Sequence, residues 1–324
     1  MSAARSGRLV AASLAAVLFA AMPAVSGAPA ASAATQTRAD VLPSLEPNLI
    51  SYYDFEHPVA GNPAQEADQG LSGTPINLVN GGAQMRVADG AYPASRHSLQ
   101  TMQVNPTVNG NDDWKAGIYS ASGVPSLHAF NHMQQATIMV WVKQTGTNPN
   151  LNSDTADPTD YYNAFGVAGV LSGNSAGHNV RFLIEVEQVS GALHLVALGR
   201  RIDTGSSQIF AANQDWHTLL PQNQWVFLSA TFDFNTGKMA LYRNGQPVSG
   251  FYATPGDPWG LNASPAPHYS SATDPAGIKI GGSYPQNNME FNACNCRFDS
   301  IMFLNRAVQP GEVRAQYERA LNAS

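Results

Sequence analysis

In the segment Phe182-Leu-Ile-Glu-Val-Glu187, Glu185 and Glu187 stand two positions apart, and side chains two apart on a strand project from the same face. Two carboxyls on one face can serve a glycosidase, one as acid and the other as nucleophile, which makes this pair the candidate catalytic centre. A strand face in contact with water carries Glu for solubility as well, so the acids alone do not make an enzyme. A second set of residues suits sugar binding. Rings stack on the C–H faces of sugars while neighbouring polar groups bond the hydroxyls. Trp114 follows Asp112 and Asp113, Tyr161 stands beside Tyr162, Trp216 beside His217, and Trp259 precedes His268 and Tyr269 in a long polar stretch. Trp114, Tyr161, Trp216, Trp259 and Tyr269 are therefore the candidate ligand-binding residues, whereas Trp141 and Trp225 lie within strand-like runs and are expected in the core.

Other chemistries find little support. The eight histidines are scattered, and His128 and His132, four apart, lack the Glu of an HExxH helix. Asn150, Asn152, Asp154, Asp157 and Asp160 form an oxygen-rich stretch without the order or glycine of an EF-hand. There is no glycine-rich phosphate loop, no GxSxG elbow and no Cys/His pair placed for nucleophilic catalysis. Cys294 and Cys296 are the only cysteines. A bridge between them closes a very small loop and adds little stability, and the spacing leaves open whether they pair.

The elements that must carry these residues read as strands. Ile138, Val140 and Val142 alternate with Thr137, Met139 and Trp141, and Val226, Leu228, Ala230 and Phe232 alternate with Phe227, Ser229, Thr231 and Asp233, the period of a half-buried strand. Asn235-Thr-Gly237 and Asn244-Gly245 then mark successive hairpin turns, which implies antiparallel sheets. One helical pattern stands out, from Pro310 to Leu321, with Val313, Tyr317 and Leu321 at helical spacing. The stretches 148–162, 203–224 and 251–277 are long, polar and rich in turn residues, the kind of loop in which binding residues concentrate.

The chain has 324 residues, with 17 Lys and Arg against 23 Asp and Glu. Arg5 and Arg8 precede an apolar run from Leu9 to Val25 and small residues at Ala31-Ser-Ala33, the layout of a secretory signal over residues 1–33. Without this leader the net charge is −8, and the basic residues are neither numerous nor clustered, which disfavours a nucleic-acid partner. No later run is apolar for long enough to span a bilayer, so a secreted, extracellular protein without a membrane span is expected. Residues 34–46 read as a tether and 47–324 as one domain.

Several blocks in order resemble the landmarks of bacterial laminin-G-like domains of the concanavalin A-like lectin/glucanase superfamily: Leu49-Ile-Ser-Tyr-Tyr-Asp-Phe-Glu56, Ala136-Thr-Ile-Met-Val-Trp-Val-Lys143, Trp225 to Asp233 with Leu241-Tyr-Arg-Asn-Gly245, Ile278-Lys-Ile-Gly-Gly282, and Arg297-Phe-Asp-Ser-Ile301 with Asn305-Arg-Ala307. The resemblance implies an all-β jelly-roll of two antiparallel sheets. It also implies a structural calcium near the paired chain ends, with Glu56 and Asp299 at the matching acidic positions. Glu185 and Glu187 resemble the glutamate-bearing strand of the superfamily's glucanases, but Gln188-Val-Ser-Gly191 lacks the further acid of that motif. The primary expectation is a lectin-like protein that binds an extracellular polysaccharide or glycan without catalysis. The alternatives are a glycoside hydrolase or polysaccharide lyase using Glu185 and Glu187, and an adhesion module that binds protein.

Overall fold

The computed structural model describes residues 38–104, 112–148, 164–173, 179–203, 205–285 and 292–323. The leader, the oxygen-rich stretch at 150–160 and Tyr161 lie outside the described residues. In chain order the strands are β1 (Leu49–Tyr53), β2 (Pro58–Val59), β3 (Asn62–Glu66), β4 (Ile76–Val79), β5 (Arg86–Val87), β6 (Ser98–Thr101), β7 (Lys115–Tyr119), β8 (Gln135–Gln144), β9 (Phe165–Leu171), β10 (Val180–Val189), β11 (Ala192–Arg201), β12 (Ser206–Ala212), β13 (Val226–Asp233), β14 (Lys238–Arg243), β15 (Gln246–Val248), β16 (Gly250–Tyr252), β17 (Gly277–Ile280) and β18 (Cys296–Leu304). A short helix, α1 (Trp216–Leu219), precedes β13, and α2 (Pro310–Asn322) closes the chain.

These strands form the two antiparallel sheets of the expected all-β jelly-roll sandwich. One sheet has eight strands in the order β15-β14-β13-β8-β18-β6-β5, with β1 also paired to β18; the other has ten, in the order β16-β12-β11-β10-β9-β17-β7-β4-β3-β2. The alternation explains the layering. Val226, Leu228, Ala230 and Phe232 of β13 and Phe182, Ile184 and Val186 of β10 enter the core between the sheets, while Phe227 turns to the opposite side of the eight-stranded sheet with Tyr52, Trp141, Tyr242 and Val313. That second cluster is roofed by α2, so the eight-stranded sheet is buried on both faces. The turn into β15 has Asn244 and Gly245 at φ 50° and 74°, the left-handed pair of a two-residue hairpin. Gly245 also lies so close to α2 that a Cβ would come within 2.9 Å of the Arg314 Cα.

Two details of the sequence-based expectation change. The tether expected over residues 34–46 is not free from Arg38 onward. Val41 and Leu45 are fully buried in the second cluster, the Leu42 amide donates to Gln316 Oε1 at 2.7 Å, and Ser44 Oγ donates to Glu312 at 2.7 Å. The apolar side chains of this segment need cover, and the inner face of α2 supplies it. Cys294 and Cys296, whose pairing the spacing left open, are both buried and joined by a disulfide.

Candidate functional site

Glu185 and Glu187 point to the outer face of the ten-stranded sheet, away from Ile184 and Val186 in the core. This face is not open. Glu185 has no exposed surface and Glu187 is 5% exposed, because apolar clusters flank them, Leu171, Val180, Leu183, Leu198 and Ala276 on one side and Val189, Val196 and Ala211 on the other. The period-two pattern placed the two acids together correctly. It gave no sign that they would be buried, since burial depends on what crosses the face.

Lys279 of β17 projects onto the same face, 2% exposed, with its Nζ 3.7 Å from Glu185 Oε2. Its register neighbours on both sides are glycines, Gly117 of β7 and Gly169 of β9, and Gly166 stands opposite Glu185. The Glu187 carboxyl hydrogen-bonds that of Glu185. Burial pushes the Glu187 carboxyl well above the usual carboxylate range, the charge of Glu185 pushes it further, and Lys279 opposes them. Farther along the face, burial raises Asp113 to about 7 and lowers Lys115 to about 8. Several nearly buried ionisable groups on one sheet face are a common mark of a functional site.

A second feature lies at the open edge of the sandwich, where β16 ends the ten-stranded sheet. Phe251 and Tyr252 are 36% and 40% exposed. Tyr252 packs on Phe210, and its hydroxyl accepts from the Met239 amide of the other sheet at 2.8 Å, which fixes the ring. Beside it lies a cleft of about 330 Å³, lined among others by Gln208, Thr236, Thr254 and Asp257. Asp257 accepts from the Leu261 and Asn262 amides, which hold its carboxyl below the usual range. A fixed ring beside hydroxyls and a charged carboxylate can stack on one sugar face and bond its hydroxyls. Sequence reasoning missed Tyr252; the available signal was the Phe251-Tyr252 pair directly after a hairpin strand.

The aromatic residues expected to bind ligand do not converge. Trp259 is 1% exposed and belongs to the main core, with its ring 5.0 Å from Phe234 and its indole N–H donating to the Gly199 carbonyl at 3.2 Å. Trp216 is 3% exposed and packs edge-on against Phe165. Trp114 lies partly buried against the core, and Tyr269 packs edge-on against His132. Trp216 and Trp259 are mostly buried and pin their loops on the sandwich, because a large apolar ring gains from burial, while Trp259 also lines the cleft beside Tyr252 and Trp216 a second cleft with His217. Tyr161 lies outside the described residues.

Glu56 and Asp299 do not fit a shared calcium. Glu56 Oε1 accepts from the Arg96 and His97 amides at 2.6 and 2.7 Å, and Oε2 meets His97 Nδ1 at 2.8 Å. Asp299 Oδ2 accepts from the Ala91 amide and Ser95 Oγ at 2.9 and 2.6 Å. Both carboxylates instead anchor the 91–97 segment, their lone pairs committed to N–H and O–H donors. Among the described residues, Asp54, His57 and Glu66 do bring three ligand atoms within 4.8 Å of one another, but Glu66 already receives Arg86 Nε and Nη2 at 2.8 and 2.6 Å. Chelation of the purified protein is therefore expected to leave its melting temperature unchanged; a fall restored by calcium would assign a metal to this end of the sandwich.

No family model matches the chain, and no curated protein matches it in sequence. Solved structures do resemble it. The binding domain of Paraclostridial Mosquitocidal Protein 1 aligns over 86% of this chain and 53% of its own, with 14% identity and a TM-score of 0.53. The binding domain of Botulinum neurotoxin DC, solved in complex with rat synaptotagmin II, aligns over 85% and 52%, with 10% identity and a TM-score of 0.50. The chain spans about half the length of these neighbours, and at such identity the likeness is one of fold. Among the described residues no helix is long and apolar enough to cross a membrane.

Proposed function

We propose that the chain is a secreted, laminin-G-like, lectin-like module that binds an extracellular glycan without catalysis, and that its contact surface is the edge cleft at Tyr252. The observation that carries this reading is the fixed, 40% exposed Tyr252 ring beside a 330 Å³ cleft rimmed by Thr236, Thr254 and Asp257. A cleft of that size is at the lower end for small-ligand sites, enough for a sugar unit or two. The similarity of the fold to toxin binding domains is compatible with a binding role, and function must rest on the site rather than the fold. The test is depletion of the mature protein by a panel of insoluble and immobilised polysaccharides. Tyr252→Ala is expected to weaken capture at least tenfold, about the 1.4 kcal/mol a stacked ring contributes, with its fold unchanged by circular dichroism. Capture by a protein partner that sugars do not compete with would point instead to an adhesion module.

A second reading, a glycoside hydrolase or polysaccharide lyase, rests on Glu185 and Glu187 sharing one sheet face as an acid and a nucleophile would, and their burial weighs against it. Release of new reducing or unsaturated ends from a captured polymer, lost in both Glu185→Gln and Glu187→Gln, is the result that establishes it.

A further inference from the structure

The cleft at Tyr252 carries charge of one sign. Asp257 is the single charged residue among the described residues that line it. Every Lys and Arg after Arg8 falls within the described residues, and none of them lines the cleft. Two cations stand nearby in the field or in the chain. Arg201 bears on the Asp257 charge, but it is 3% exposed, and its Nη1 and Nη2 donate to the Trp259 carbonyl at 2.6 Å and to the Asp203 carboxylate at 2.8 Å. Lys238 follows the lining Gly237 and stands opposite Asp233 in the β13–β14 register. An anion entering the cleft would therefore meet a carboxylate of like charge and no cation turned toward it.

The polar groups left for a ligand narrow the choice further. The Gln208 amide is spent on the wall: it is 6% exposed, its Nε2 donates to the Thr254 carbonyl at 2.8 Å, and its Oε1 accepts from the Ile209 and Thr254 amides at 3.0 and 3.2 Å. The Tyr252 hydroxyl is held by the Met239 backbone, so this residue offers a ligand its ring. Asp257 differs. A carboxylate has about four acceptor positions and no donor. The Leu261 amide fills one on Oδ1 and the Asn262 amide one on Oδ2, both at 2.8 Å, and the Asn262 side chain adds a third bond, which leaves a position for a hydrogen brought by the ligand. A sugar hydroxyl supplies that hydrogen. A carboxylate or sulfate supplies none, and adds repulsion.

We propose that the Tyr252 cleft is specific for neutral sugar units, one hydroxyl of which donates to Asp257, and that it rejects units bearing a carboxylate or sulfate. The proposal rests on the glycan-binding reading of this cleft and adds the ligand's charge. Asp257 then acts as the residue that sets specificity, Tyr252 as the stacking surface, and Gln208 as a positioning residue that holds the Thr254 wall.

Capture of the mature protein at neutral pH by immobilised polymers in matched pairs tests this, each neutral glucan, galactan or mannan beside its counterpart oxidised to the carboxylate at C6. At least one neutral polymer is expected to capture the protein about tenfold or more better than its oxidised partner, since like charges brought together oppose binding. Asp257→Asn is expected to bring that ratio within about threefold. Glu318→Gln, which removes the same charge from α2 outside the cleft, is expected to leave it unchanged, so the cleft is separated from the overall charge of the protein. Thr254→Lys keeps the backbone bonds to Gln208 and is expected to raise capture of the oxidised polymer, a readout that stands even where Asp257→Asn does not fold. Equal capture of both partners, or preference for the oxidised one, overturns the charge selection while the glycan site survives if Tyr252→Ala still abolishes capture. A tenfold ratio that Asp257→Asn leaves intact overturns the role given to Asp257. No capture by any polymer, or capture that Tyr252→Ala does not weaken, overturns the cleft reading and this proposal together.

Discussion

Replacing Trp259 with alanine is expected to lower folding stability by about 3–5 kcal/mol, the usual cost of removing a large ring from a packed core. The ring is 1% exposed. It packs against Phe234, its N–H meets the Gly199 carbonyl, and its own backbone carbonyl accepts from Arg201 Nη1 at 2.6 Å. The fit is close: a Cβ at Gly199 would lie 2.8 Å from the indole ring, so a side chain there would have to displace the tryptophan. Chemical denaturation of the mature protein measures the loss. Trp259→Phe, which keeps most of the buried area but not the N–H donor, should lose less. A loss below about 1 kcal/mol for Trp259→Ala would show that the ring does not carry the packing assigned to it and would return it to the candidates for ligand contact.

Trp259 also shows where sequence reading stopped. Its neighbours in sequence, Pro258 and Gly260 among polar residues, are those of an exposed loop. What buries it is Gly199 and Phe234, residues distant in sequence, and no local pattern announces a partner of that kind. The strands were legible because alternation is local: β8 and β13 lie where the periodicity put them, the turn at Asn244-Gly245 has the left-handed backbone its residues favour, and α2 starts at the predicted Pro310. Period two also put Glu185 and Glu187 on one face. It could not show that Lys279 would face them from a strand some ninety residues later, nor that the face would be covered. The segment before β1 misled for the same reason, since Val41 and Leu45 acquire their partners only from α2, at the other end of the chain.

The second large expectation separates the two glutamates by the sign of their effects. Burial and the neighbouring Glu185 charge raise the Glu187 carboxyl in the folded protein above its ordinary value of 4.5, so the folded chain holds this proton more tightly than the unfolded chain. The stability this contributes is fully present below that ordinary value. It is lost as pH rises through the folded value, with a slope of at most about 1.4 kcal/mol per pH unit for one proton. Glu187→Gln keeps a neutral, hydrogen-bonding group of the same shape and has no proton to lose. It is therefore expected to gain stability relative to the parent as pH rises from 5 to 8, the window above the ordinary glutamate value. Taking the difference between variant and parent at each pH cancels the contributions of ionisable groups that do not couple to this site. Glu185→Gln removes the carboxylate nearest to Lys279 and leaves a buried ammonium with a weaker partner, a change that costs about 3–5 kcal/mol when a buried pair is broken. Denaturation curves for both variants at pH 5 and pH 8 decide the matter. Opposite signs at pH 8 assign the proton to Glu187 and the ion pair to Glu185, whereas equal losses at both pH values would mean that the two acids act only as packed side chains.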